Sequence, residues 1–296
     1  MSINRSINLA VCILFYEKLD QTIQCIRSFL PSGVNIFVLN NDSSSKGRQK
    51  LGEFIDEYNQ IKIFDSPVNL GSIGGRNFLI NHTNEEWLLF PDSDIIVKTP
   101  DWLQKFKQHV HLNRDIEVFI PRLFCIPENI YASKHGIRVV GTKASYNVKP
   151  ANDLINIFSA GASFINRELF NRLGPYDEKM FVGFSEAEIS IRAILAGKPV
   201  KGKLIHDIEL IHSRVPATKE EDKRAVLTRY NTDLLEASLN RITEKHNVTF
   251  EVDWKKWVSE QVEYLTSKRT FFSKVKKQLV SWRAASFKRT AGKIRK

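Results

Sequence analysis

"LLFPDSDIIV" (residues 88–97) sets an apolar run against two carboxylates one residue apart. Leu88, Leu89 and Phe90, with Trp87 before them, have the pattern of a short buried strand. Asp92 and Asp94 stand directly behind it. In extended backbone, residues i and i+2 point to the same side. Two carboxylates converging there repel each other unless a cation lies between them. Mg2+ and Mn2+ prefer oxygen ligands of this kind and often share them with substrate phosphates. The stretch predicts a strand whose carboxyl end opens onto a polar site.

The residues before it supply the rest of a sheet. Leu9 to Phe15 is a first apolar strand pattern, followed by Leu19, Ile23, Ile26 and Leu30 at helical spacing. "VNIFVL" (34–39) predicts a second strand, and Leu51, Phe54, Ile55 and Tyr58 share one face of a second helix. "IKIF" (61–64) predicts a third strand and "SIGGRNFLINHT" (72–83) a helix leading to the strand 87–90. Strands alternating with helices imply βαβ units and a mostly parallel sheet. Ligands of such sheets bind outside the carboxyl ends of the strands. The loops at those ends are "FYE" (15–17), "NNDSSS" (40–45), "SPVNLG" (66–71) and "PDSD" (91–94). They are rich in Asn, Asp, Ser and Gly, residues that serve turns as well as ribose and phosphate oxygens. "NLGSIGG" is neither G-x-G-x-x-G nor a P-loop, so nucleotide motifs of those types are absent.

Composition bounds the class. The chain has 296 residues, 42% hydrophobic and 26% charged, enough for one large α/β domain or two small ones. No apolar run approaches the ~18 residues of a membrane span. The short apolar stretch near the N-terminus reads as a strand and not as a signal peptide. Cys12, Cys25 and Cys125 are odd in number and irregular in spacing, which suits buried hydrophobes in a reducing compartment. The net charge of +11 is local: Lys268 to Lys296 holds eleven Lys or Arg and no acid. The remainder is formally neutral, with 33 basic and 33 acidic residues. In that tail Phe271, Phe272, Val275, Leu279 and Trp282 share a stripe of helix surface, the pattern of a helix lying on an anionic membrane. A helix packed on its own domain or a basic disordered end fits the same composition. Nucleic-acid binding is not expected, because the domain itself is neutral.

A second dense stretch, "SAGASFINRELFNRLGPYDEKMFVGFSEAEISIRAILAGKPV" (159–200), predicts a helix beginning near Ser185. Glu186 and Glu188 fall in its first turn, where acids complement the helix dipole. A carboxylate facing a cleft there would instead serve as a general base. His212 ends the apolar strand pattern of "GKLIHDIELIH". A lone His in that place is either structural or a ligand. Residues 218–247 predict a long helix with Leu227, Tyr230, Leu234, Leu235 and Ile242 inward, and 254–265 continue helical.

Taken in order, these motifs resemble family 2 of the nucleotide-sugar glycosyltransferases, which have the GT-A fold. The match runs from about residue 7 to 215. It comprises Asn40-Asn41-Asp42-Ser43, Asn69-Leu70-Gly71 with Arg76-Asn77, and Asp92-Ser93-Asp94. Then follow Gly161-Ala162, Leu173-Gly174-Pro175-Tyr176-Asp177-Glu178, Ser185 to Arg192, Gly197 and His212. The resemblance implies a GT-A-like α/β domain (1–215) with a mixed, mostly parallel sheet flanked by helices. Beyond it lie a helical segment packed on that domain (216–267) and a basic amphipathic tail (268–296). It implies donor binding by Phe15, Tyr16, Asn40, Asn41, Asn69, Gly71, Arg76, Asp92, Ser93, Gly161 and Ala162. Asp92, Asp94 and His212 would hold Mn2+ or Mg2+. Glu186, with Glu188 as the second acidic position, would deprotonate the acceptor hydroxyl in an inverting transfer. The family usually has Asp where this chain has Asn40, a Glu-Asp pair with the Asp as base where it has Ser185-Glu186, and a Tyr-Asn pair where it has "FYE".

The expected function is transfer of a sugar from a nucleotide-diphosphate donor, UDP-linked first, to a hydroxyl of a glycan or lipid-linked acceptor. The setting would be bacterial-type surface polysaccharide synthesis, with the enzyme peripheral on the cytoplasmic side of the membrane. The competing class is a non-catalytic α/β protein that binds nucleic acid or another anionic partner through its tail. Donor hydrolysis dependent on Mn2+ favours the first; salt-sensitive DNA retention by the domain without its tail favours the second.

Overall fold

The computed structural model describes residues 7–126, 128–132 and 135–266. The tail 268–296, and with it the predicted membrane helix, lies outside the described residues.

The predicted alternation is present. β1 (Leu9–Phe15), α1 (Leu19–Phe29), β2 (Asn35–Asn41), α2 (Ser45–Ile55), β3 (Ile61–Ser66), α3 (Gly71–His82) and β4 (Trp87–Leu89) follow in turn. β1 lies between β2 and β4 and pairs with both in parallel, and β2 pairs in parallel with β3. A parallel strand buried on both faces needs apolar residues at every position, which is why β1 and β4 read as continuous runs, whereas β3, at the sheet edge, leaves Lys62 exposed. Leu9, Val11, Ile13 and Phe15 face one core with α1 and α2, while Ala10 and Cys12 face the other with α3.

After β4 the sheet becomes mixed. β5 (Ile95–Val97) and α4 (Trp102–Leu112) precede β6 (Val118–Ile126) and β7 (Ile130–Tyr131). Next come β8 (Gly136–Val140), β9 (Lys143–Val148), β10 (Leu154–Ile155), β11 (Phe164–Asn166), α5 (Glu168–Leu173) and α6 (Ser185–Leu195). β12 (Gly202–Ser213) closes this part. The main sheet runs β10-β12-β6-β11-β4-β1-β2-β3, with β5 on β12 and β7 on β6. β11 is antiparallel to both β4 and β6, whereas β12 runs parallel to β6. The antiparallel pair β5–β12 sets His212 opposite Ile95, one residue beyond Asp94. This register, invisible in the sequence, brings the late His to the two carboxylates.

Residues 216–266 contribute α7 (Glu220–Arg229), α8 (Thr232–His246), β13 (Thr249–Glu251) and α9 (Lys255–Thr266). The single long helix predicted over 218–247 is two helices. The chain breaks at Asn231, whose side chain caps α8 by accepting from the Leu234 N–H at 3.0 Å. Leu227, expected inward, is 53% exposed on α7. β13 was not predicted; it joins β9 in parallel and completes a three-stranded sheet with β8. Among the described residues, no helix is long and apolar enough to cross a membrane.

Candidate active site

The carboxyl ends of β1, β2 and β4 and the end of β12 surround a cavity of about 430 Å3. Tyr16, Asn41, Asn69, Gly71, Arg76, Asp92, Ser93, Asp94, Gly161 and His212 all line it. Ten of the residues implied by the resemblance are thus brought together.

Asp92 leaves the end of β4 toward the cavity with its side chain 41% exposed. Arg76, nearly buried on α3, donates from Nη2 to its Oδ1 at 3.1 Å. Gly161 lies against the same carboxylate: a Cβ there would come within 2.4 Å of Asp92 Oδ2. The Asp92 N–H also donates to the Gly161 carbonyl at 3.0 Å. Gly71, with φ +70°, opens α3 under Phe181, whose carbonyl a Cβ would meet at 2.2 Å. These two glycines are required by close approach, and the second also by its left-handed backbone.

Asp94 is more enclosed. His212 Nε2 lies 3.2 Å from its Oδ1 and Lys18 Nζ 3.4 Å from its Oδ2. Burial alone would raise the Asp94 carboxyl, but Lys18 and His212 hold it well below the usual carboxylate range. Burial likewise works against a charged His212, and the Asp94 carboxylate overcomes it, raising the imidazole to about 10. One ligand atom from each of Asp92, Asp94 and His212 lies within 4.8 Å of the others. Two carboxylates and an imidazole at this spacing fit a divalent ion of the Mn2+ or Mg2+ class.

Several expected residues do other work. Phe15 is wholly buried in the core beside Leu51 and Phe54, because its odd position on β1 points away from α3. Asn40 does not line the cavity: its amide donates to Asp65 Oδ1 at 2.9 Å and its carbonyl accepts from Ser43 N–H. Asn41 reaches the cavity wall, but its amide donates to Asn69 Oδ1 and the Gly71 carbonyl, and its oxygen accepts from Leu70 N–H. It shapes the loop 69–71. Ala162 is buried against Ile95 and Leu210 and shapes the turn after Ser159.

Glu188 does not line the cavity. It is fully buried, ion-paired with Arg192 at 2.7 Å and Lys245 at 2.9 Å, and in hydrogen-bond contact with His246 Nε2 at 2.7 Å. Burial opposes its charge, and these partners nevertheless hold its carboxyl below the ordinary value. Glu186 is half-buried in the first turn of α6 and accepts from Ser185 Oγ at 3.3 Å. It does not line the cavity, although Phe181 and Val182, just before it, do.

The sequence reading missed a whole wall. Lys18, Arg214, Val226, Arg229, Tyr230 and Trp257 also line the cavity, most of them from α7 and α9 or next to them. Tyr230 and Trp257 meet edge to face with centroids 5.5 Å apart, and Trp257 keeps 44% exposure. Arg214 is anchored by Glu128 and by Gln261 Oε1 at 2.7 Å. The β1–α1 turn is tied to α7, with Glu17 paired to Arg224 and the Lys18 N–H donating to Asp222 Oδ1 at 2.8 Å.

The chain is similar in structure to GalNAc-T7 solved with UDP, GalNAc and Mn2+, with a TM-score of 0.56 and 18% identity. That match covers 88% of this chain and 57% of GalNAc-T7. S. aureus TarS (1–349) in complex with UDP-GlcNAc matches with a TM-score of 0.57 and 12% identity, over 87% of this chain and 71% of that one. The mannosyltransferase PcManGT from Pyrobaculum calidifontis, solved with GDP-Man and Mn2+, gives 0.55 and 9%, over 87% and 69%. At these identities the likeness is one of fold. No curated protein matches the sequence. The sequence model described as "Glycosyl transferase family 2" matches residues 10–174, more than half of the chain. That span includes β1 to β4, Arg76, Asp92, Asp94 and Gly161, the residues that build the floor of the cavity: the chain belongs to glycosyl transferase family 2.

Proposed function

We propose that the chain is an inverting, divalent-metal-dependent glycosyltransferase. It moves a sugar from a nucleotide-diphosphate donor, a UDP-sugar first, to a hydroxyl of a glycan or lipid-linked acceptor. The observation that carries this reading is the Asp92–Asp94–His212 cluster beside Arg76 in a cavity at the strand ends. Support for the donor class comes from similar folds that hold UDP, UDP-GlcNAc or GDP-Man, two of them with Mn2+.

In this reading Asp92, Asp94 and His212 would hold the ion, which would supply positive charge to offset the negative charge developing on the departing diphosphate. Arg76 fixes Asp92, and Tyr16 and the loop 69–71 border the nucleoside. Glu186, which follows the cavity-lining Phe181 and Val182 at the start of α6, takes the proton of the acceptor hydroxyl. Tyr230 and Trp257 offer flat apolar faces of the kind sugar rings pack against, and they mark the acceptor side. The basic tail would hold the enzyme on the inner face of the cell membrane, where lipid-linked acceptors of surface polysaccharides are found.

A thermal-shift screen of nucleotide sugars tests this, since a ligand that binds only the folded state raises its stability. At least one donor should raise Tm with Mn2+ and not with EDTA. No shift with any donor, or shifts indifferent to EDTA, would overturn the reading.

A further inference from the structure

The two carboxylates of the site already carry a cation each: Arg76 on Asp92 and Lys18 on Asp94. We propose that Lys18 is an exchangeable cation of this site. It pairs with Asp94 before the donor binds and turns to the donor's diphosphate when a divalent ion takes Asp94. This rests on reading the cavity as a metal and nucleotide site.

The backbone shows that the position of Lys18 is built. Glu17 and Lys18 both lie in the left-handed region, at φ 56° and 54°. For non-glycine residues this conformation is unfavourable and persists only where the surroundings dictate it. Here they do. The Glu17 N–H donates to Ser43 Oγ at 3.0 Å, and Glu17 accepts from Ser44 N–H at 2.9 Å and Ser44 Oγ at 3.0 Å. Arg224 pairs with the same carboxylate, and Asp222 holds the Lys18 N–H. The Lys18 carbonyl accepts from both the N–H and the hydroxyl of Thr22, at 3.0 and 3.1 Å. The result aims the ammonium inward, with the side chain only 15% exposed and on the cavity wall.

Charge then decides which group moves. A divalent ion at Asp92, Asp94 and His212 would stand within a few ångströms of both Lys18 and Arg76. Like charges at that range repel, and the more so in a partly buried site. Arg76 is planar, nearly buried and fixed by its helix. Lys18 has a flexible four-carbon stem with rotatable donors and binds phosphate as a point charge. It is the cation free to swing toward an arriving diphosphate. Metal and nucleotide would therefore each favour the other.

Two constants test this on the full chain: Mn2+ binding alone, by electron paramagnetic resonance, and UDP and GDP binding in saturating Mn2+, by calorimetry. Lys18→Met should bind Mn2+ alone at least ~10-fold tighter than wild type, the effect of one nearby unit charge removed. The same variant should bind the nucleoside diphosphate at least ~10-fold more weakly. Lys18→Gln, which keeps a donor for Asp94, should behave like Lys18→Met and guards against misfolding, while Lys18→Arg should stay near wild type. Either constant unchanged within ~2-fold in both neutral variants refutes the exchange, given that one unit charge is worth more than that. Wild type binding neither Mn2+ nor either nucleotide would instead overturn the reading of the site beneath it.

Discussion

Gly161→Ala is the smallest change that should disable the site without disturbing the fold. The backbone of Gly161 lies outside the left-handed region, so alanine fits its φ. The obstacle is Asp92: the new Cβ would lie 2.4 Å from Oδ2 and 2.5 Å from Cγ and Oδ1. Ordinary contact begins near 3.4 Å. The carboxylate must therefore retreat by ~1 Å, away from the bond it makes to Arg76 and from the position it shares with Asp94 and His212. A displacement of ~1 Å in a positioning group costs on the order of 100-fold in rate. Turnover should fall by that factor, and Mn2+ should bind more weakly. Because only the end of one side chain moves, Tm should fall by no more than ~4 °C, the scale of ~1 kcal/mol in a domain of this size. Transfer to a soluble acceptor, a Mn2+ titration and a melting curve measure all three. Turnover and metal affinity within ~3-fold of wild type would refute the placement of Asp92 as a working ligand.

Asp94→Ala should remove metal-dependent donor binding and transfer while leaving a cooperative melt; full activity in this variant, or in excess EDTA, would take the metal out of the mechanism. Glu186→Gln should keep donor affinity and lower turnover by at least ~100-fold, the scale of general-base loss, and retained anomeric configuration in the product would rule out direct displacement. Glu188→Gln should cost about 3–5 kcal/mol of stability, because it leaves Arg192, Lys245 and His246 without their shared buried charge, yet leave KM for the donor unchanged. The Glu188 carboxyl sits below its ordinary 4.5 in the folded chain, so its contribution to stability is complete above that pH and fades as pH falls through the lowered value. Melting curves taken through that window should therefore converge for wild type and Glu188→Gln at the acid end. A chain ending at Thr266 should fold and keep transfer onto a soluble acceptor mimic but no longer sediment with anionic liposomes; equal sedimentation would refute the membrane role of the tail.

How far the sequence could be read depended on the range of the interaction. β1, β2, β4 and the Asp-Ser-Asp turn were legible because a doubly buried parallel strand carries a continuous apolar run and its polar end stands out, while the edge strand β3 was legible from its place in the alternation with helices. Arg76 and His212 were identified only through the order of motifs. The contacts that make them useful come from the approach of α3 to Asp92 and from the β5–β12 register, both long-range. Glu188 shows the limit most clearly. Its i,i+4 partner Arg192 is visible in the sequence, but Lys245 and His246 come from α8, more than fifty residues later, and they decide that this acid is structural. β13 has only three residues; Asn247, left-handed at the end of α8, announces the turn before it, but pairing with β9 is what makes it a strand. The break at Asn231 involves neither Gly nor Pro, so helical periodicity ran straight through it.

The ties between Glu17 and Arg224, and between Lys18 and Asp222, join the first loop of the chain to its last third. This has a bearing on recombination between relatives. A chimera that exchanges everything after β12, in order to exchange acceptor preference, would cut both ties and release the turn that presents Lys18. Such hybrids should lose nucleotide affinity even though no floor residue of the cavity has changed. Carrying residues 16–18 across together with 216–266 should recover it, which makes the heritable unit of this catalytic domain discontinuous along the chain.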